Sequence, residues 1–164
     1  MKQKVLILFL TGSLFLLQTA CKSASTFTSS YGLYEIECAG AASQGSQLVR
    51  VWVLGNDRDV NIDLIKRYAV HGVIFKGYAG GNGCTPQKPM VTNPAIEQQR
   101  DNFFSPFFNT DRAYNKYATQ VGNTLERIQE GKDYKIGAVI SVSKDMLRRD
   151  LEAAGVLRGL SGGF

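Results

Sequence analysis

"YKIGAVISVSKDMLRRDLEAAG", residues 134–155, changes period in its middle, and that change decides the fold class. Tyr134, Ile136, Ala138, Ile140 and Val142 fall on one face at every second position, the pattern of a strand. Ser143 then stands where a helix cap belongs. Leu147, Leu151 and Ala154 recur at helical spacing, and Gly155 marks the exit. Asp145 with Arg149, and Arg148 with Glu152, are spaced i,i+4 on the wet side. A strand feeding a helix, each with an apolar side, requires a sheet and a helix layer packed together.

Working outward, LYEIEC (33–38) alternates, with Tyr34, Ile36 and Cys38 on one face and Glu35 and Glu37 on the other. QLVRVWVLG (47–55) is apolar on both faces, which predicts a strand covered on both sides. The simplest pairing of these two is a hairpin. Asp59 is placed to cap a helix whose stripe is Ile62, Ile65 and Ala69, with Asp63 and Arg67 at i,i+4. That helix either ends at Gly72, leaving VIFKGY (73–78) as a strand, or runs on to Lys76. Asn93-Pro94 predicts a second helix to Phe104, ended by Pro106. AYNKYATQV (113–121) reads as a strand. The expected architecture is α+β: a two-layer sandwich with a mainly antiparallel sheet and helices packed on one face.

Few residues offer chemistry. GYAGGNGCTPQKP (77–89) lacks the GxxxxGK[ST] spacing that cradles phosphate, and Pro86 and Pro89 break any following helix. Gly81-Asn82-Gly83 also lacks the third glycine of a dinucleotide loop. Its glycines suit a tight turn presenting Cys84. His71 is the sole histidine, so a histidine-based metal site has at most one ligand, and helix-end packing is its expected role. Glu35 and Glu37 share a strand face as a glycosidase pair would, yet as acids on an edge strand they protect that edge. We expect no catalytic residue, no metal and no cofactor. The chain has formal charge +5 without a basic run, which argues against nucleic-acid binding.

At the N-terminus Lys2 and Lys4 precede an apolar run, Val5 to Leu17, well short of the ~20 residues a spanning helix needs. This is the layout of a signal peptide over residues 1–20. Leu17-Gln18-Thr19-Ala20-Cys21 resembles the lipobox of bacterial lipoproteins, with one departure: Gln18 holds the place of the usual leucine. Such looser boxes look like those of the Bacteroides group. KRYAVHGVIFKG (66–77), GGNGCTPQKP (80–89) and KDMLRRDLEAAG (144–155) extend the likeness to small lipoproteins of that group. The resemblance brings no activity and no catalytic residues. It implies a multiply acylated Cys21, a membrane contact through that lipid, and an outer-membrane location facing the periplasm. Residues 21–31 then form a lipidated leash, and 32–164 one globular domain. With Cys21 in the anchor, Cys38 and Cys84 remain. An oxidising compartment permits a bridge between them, and two reduced, buried cysteines are the alternative.

DNFFSPFFNTDRAYNKY (101–117) is dense in aromatics. They either fill the core or, at the Ser105-Pro106 turn, expose two of Phe103, Phe104, Phe107 and Phe108 as an anchor for a partner. The function these readings point to is a non-catalytic, lipid-anchored scaffold or adaptor contacting an envelope protein, for instance in a secretion machine. A binding module for a small ligand or cell-wall fragment, with a pocket lined by Trp52 and tyrosines, is the alternative. A thiol-dependent enzyme ranks below both.

Overall fold

The two most apolar strands take the middle of the sheet. The computed structural model describes residues 33–55, 59–81, 83–131 and 133–157, all within one compact unit covering residues 31–164. Residues 1–32, which hold the expected signal peptide, Cys21 and leash, lie outside the described residues. Strands β1 (Tyr34–Cys38), β2 (Gln47–Gly55), β3 (Ala118–Glu130) and β4 (Asp133–Val142) form a four-stranded sheet in the order β1-β2-β4-β3. Every neighbouring pair is antiparallel, in registers such as Tyr34 opposite Val53 and Val51 opposite Ala138. The inward residues Val49, Val51, Val53, Ile136, Ala138, Ile140 and Val142 are all buried.

The helix layer covers that inner face. Helix α1 (Ile62–Phe75) packs against all four strands. Its cap is Asn61, two residues beyond the Asp59 that the sequence suggests: Asn61 has extended backbone, and its Oδ1 accepts from the Leu64 amide at 2.9 Å. Gly72 does not end the helix. It lies in the interior, where an added Cβ would sit 2.5 Å from Ile36 Cδ1, so the missing side chain lets α1 lie close to β1. The helix instead stops at Gly77, whose φ of +67° is left-handed and whose amide bonds the Gly72 carbonyl at 2.8 Å. Residues 73–75 are therefore helical rather than a strand. The Val73 and Ile74 carbonyls near the helix end accept from the Met90 and Val91 amides, which satisfies groups a helix terminus otherwise leaves open.

Helices α2 (Ala95–Gln99) and α3 (Asp101–Ser105) follow. Asn93 Oδ1 accepts from the Ala95 amide at 3.0 Å, as the Asn-Pro signal implies. Pro106 does not end this segment. It opens a π-helical turn, Pro106–Thr110, where a first-turn residue needs no amide hydrogen. Residues 113–117 form a 3₁₀ turn, so β3 begins only at Ala118, and it runs past residue 121 to Glu130. Helix α4 (Lys144–Ala153) buries Leu147 and Leu151, but Ala154 is exposed. The Arg148–Glu152 pair forms at 3.7 Å.

Asp63 joins α1 to the turn after the π segment. Rather than pairing along the helix, its carboxylate meets the Arg112 guanidinium and accepts from Tyr114 Oη at 2.8 Å and Asn115 Nδ2 at 3.2 Å. Burial alone would raise this carboxyl, but the hydrogen bonds from Arg112, Tyr114 and Asn115 hold it below its ordinary value. Arg112 has a φ of +52°, a left-handed conformation unusual for a side chain of that size, and the clamp holds it there. Asp63→Ala removes the acceptor of three donors. We expect urea denaturation to show a loss of roughly 1–3 kcal/mol, and an Asp63→Asn variant to recover only part of it.

Candidate functional site: the uncovered face of the sheet

One face of the sheet packs on helices, and among the described residues the other carries none. The dual-faced pattern of β2 is thus not that of a strand covered on both sides: Leu54 stands 46% exposed. Cross-strand register arranges this outer face in rows. Leu54 lies opposite Lys135, and Lys135 opposite Ile128. Leu33, just ahead of β1, continues the row beyond Leu54. Three of these four are exposed aliphatics, with Leu33 84% and Ile128 50% exposed. The next row is Glu35, Trp52, Gly137 and Glu126. Trp52 lies over Gly137, where an added Cβ would come within 2.5 Å of the indole and 2.6 Å of the Val51 carbonyl oxygen. The glycine is what lets the indole lie flat on the strand.

Charge surrounds this apolar strip. Trp52 Nε1 donates to Glu37 Oε1 at 3.0 Å. Arg50 is shared between Glu37 at 3.7 Å and Glu126 at 3.2 Å. Lys135 is shared between Glu35 and Glu130, both at 3.1 Å, and these hydrogen bonds raise its ammonium above the ordinary value. Leu33, Trp52 and Leu54 on one side, with Glu130, Asp133 and Lys135 on the other, bound an open cleft of about 420 Å³. Glu35 and Glu37 therefore lie on an edge strand as expected, each engaged with a cation.

Of the two placements open to Phe103, Phe104, Phe107 and Phe108, the structure has the core one. Phe104, Phe107 and Phe108 are 1–6% exposed and Phe103 is half-buried. They stack on one another and on Tyr114, Tyr117 and Phe75, with ring centroids 4.8–6.5 Å apart. The helical path through Pro106 turns Phe104, Phe107 and Phe108 inward and packs Phe103 against them, where burial of large rings contributes most.

Cys38 and Cys84 form a disulfide, with Cα atoms 6.3 Å apart. The glycine-rich loop is a small hairpin in which Tyr78 and Gln87 exchange two hydrogen bonds of 2.9 Å. Gln87 Oε1 accepts from Gln47 Nε2 at 2.7 Å and Lys144 Nζ at 2.9 Å, tying the loop to β2 and α4. The bridge closes a separation of 46 residues. Its reduction should lower stability by roughly 3–4 kcal/mol in the chain-entropy model, read as a downward shift in unfolding midpoint that Cys38→Ser/Cys84→Ser reproduces.

His71 is 4% exposed, in the buried half of α1 rather than at the helix end. Nε2 lies 3.1 Å from Glu97 Oε1 and Nδ1 lies 2.6 Å from Tyr34 Oη. A carboxylate only accepts, so Nε2 carries the proton and the neutral ring takes the Tyr34 hydroxyl hydrogen on Nδ1. Burial pushes the imidazole below its ordinary 6.5, Glu97 opposes this, and Lys76 and Arg67 add to it. The unfolded chain then binds this proton more readily. Stability from this group is complete above pH 6.5 and is lost as pH falls below it, by up to ~1.4 kcal/mol per pH unit. Thermal melts from pH 7.5 down to 5 should show that slope, and His71→Gln should flatten it.

Among the described residues no three or more His, Cys, Asp or Glu are grouped to hold a metal ion. No described helix is long and apolar enough to cross a membrane. The chain matches no protein-family model, no curated protein and no solved structure.

Proposed function

We propose that this protein is a non-catalytic, lipid-anchored binding module. In this reading it is an adaptor, held through Cys21 on the periplasmic side of the outer membrane, that docks an envelope protein, such as a component of a secretion machine. The observation that carries the reading is the one-sided sheet. Its outer face presents an exposed aliphatic row and a cleft instead of a second helix layer, and exposed apolar patches of this kind mark interaction surfaces. The groups that could do chemistry are otherwise engaged. Both cysteines of the domain are in the disulfide, His71 is enclosed by Tyr34, Glu97 and aromatic rings, and Glu35 and Glu37 are paired with Lys135 and Arg50.

The cleft also favours a second reading, a site for a small ligand or cell-wall fragment. Its 420 Å³ falls within the ~300–1,000 Å³ common for ligand pockets, and Trp52 supplies an aromatic wall. An open trough continuous with an aliphatic row across the sheet suits a length of polypeptide better than an enclosed small molecule.

The test is crosslinking of gently solubilised envelopes followed by capture and mass spectrometry, comparing the native chain with Cys21→Ala, and with Leu54→Asp/Ile128→Asp. We expect one or two stoichiometric envelope proteins with the native chain, lost in the unanchored variant and at least tenfold depleted in the face variant. Capture of no specific partner, or undiminished capture by the face variant, overturns the reading.

A further inference from the structure

The charge on the outer face narrows the kind of partner. Among the described residues, the strands place Glu35, Glu37, Glu126, Glu130 and Asp133 on it, against Arg50 and Lys135. This acid excess sits on a chain whose formal charge is +5. The two cations are already committed, since Arg50 lies between Glu37 and Glu126, and Lys135 between Glu35 and Glu130. Asp133 has no cation partner among the described residues, and it stands at the mouth of the cleft beside Glu130. Among the described residues, the face thus offers a visiting group carboxylates to pair with and no uncommitted positive charge.

The aliphatic row sets the size and class of the visitor. Leu54, Lys135 and Ile128 sit on three successive strands and Leu33 directly ahead of the fourth, so the row crosses three strand spacings, about 14 Å. A single alkylammonium does not cover that distance, whereas four or five residues of extended polypeptide do. An anionic lipid surface or nucleic acid would meet repulsion from the acid excess. We propose that the outer face binds a polypeptide segment in which lysine or arginine side chains stand beside aliphatic ones. The aliphatic groups rest on Leu33, Leu54 and Ile128, flanked by Trp52, and the cationic groups meet Glu130 and Asp133 at the cleft mouth. This inference rests on the face being the docking surface of the adaptor, and does not depend on the anchor.

Trp52 is the only tryptophan, so intrinsic fluorescence reports on the cleft directly. The full lipidated protein in nonionic detergent would be titrated with three synthetic nonapeptides: alternating lysine and leucine, alternating glutamate and leucine, and alternating lysine and serine. We expect a saturable shift of Trp52 emission with the lysine–leucine peptide, at least about tenfold tighter than with either of the others, and weakened by added salt. Glu130→Lys/Asp133→Lys, two exposed positions whose exchange should leave the far-ultraviolet dichroism unchanged, should turn the preference toward the glutamate–leucine peptide. Equal affinity for the lysine and glutamate peptides, no saturable response, or an unaltered preference in the double variant overturns the proposal. So does a concentration-dependent emission shift without peptide, which would show a second copy occupying the face.

The two levels of the reading fail differently in envelope capture. A partner lost with Leu54→Asp/Ile128→Asp but fully retained by Glu130→Lys/Asp133→Lys leaves the docking face standing and removes its cationic occupant. A partner retained by both variants removes the face itself.

Discussion

The second half of α1 is buried on every side, and that one requirement sets the rest of the helix layer. From Tyr68 to Ile74 no residue reaches solvent appreciably. The sheet covers one side of the helix, and Gly72 lets it settle onto Ile36. Something must cover the other side, and the chain from Met90 to Tyr117 does so with Phe104, Phe107, Phe108 and Tyr114. The same burial encloses the His71 imidazole between a hydroxyl and a carboxylate, as a polar group removed from water requires. Asp63 and the disulfide then hold the ends of this cover, at the 112–115 turn and at the glycine-rich loop.

Because the aromatic reserve is used up in covering α1, little remains for the far side of the sheet. There the rows are closed by charge instead. Arg50 and Lys135 each bridge two carboxylates, and such exposed pairs contribute tenths of a kcal/mol each, so they organise the face more than they stabilise it. Trp52 is the exception. It is 8% exposed on an otherwise wet surface, seated on Gly137 with its indole nitrogen bonded to Glu37. A wall that is already ordered loses little freedom when a partner arrives, which favours binding.

Elements with strong periodicity were readable from sequence. β1, β2, β4 and α4 fall where alternation and helical spacing put them, and the α+β class follows from them. The failures have particular causes. Residues 122–130, GNTLERIQE, carry no alternation and from Leu125 on are mostly good helix formers, yet β4 offers residues 126–130 a ladder, and pairing overrides propensity. The register slips between Val121 and Glu126, which further hides the strand in the linear pattern. Gly72 and Pro106 look like stops, but one supplies space and the other occupies a position that needs no amide donor. The candidate face was the hardest to see. Leu33, Leu54 and Ile128 are isolated in the chain and become neighbours only through register. The available hint was the apolar outer set of β2, Trp52 and Leu54, which reads equally well as a buried strand.

The position of the disulfide has a consequence for the order in which the chain assembles. The central pairing, β2 with β4, joins Val51 to Ala138 across most of the domain, and contacts so distant in sequence form slowly. Cys38 and Cys84 both precede β3 and β4. A chain emerging from its N-terminus can therefore oxidise this pair while the strands that complete the sheet are still to come. The closed loop holds β1, β2 and α1 together, so the entropy of gathering them has already been spent when β4 arrives. Until then β2 has an open edge where β4 will pair, and the apolar inner face is without its last two strands. A bridge closed at that stage would shorten the search during the interval in which unpaired strand edges favour aggregation.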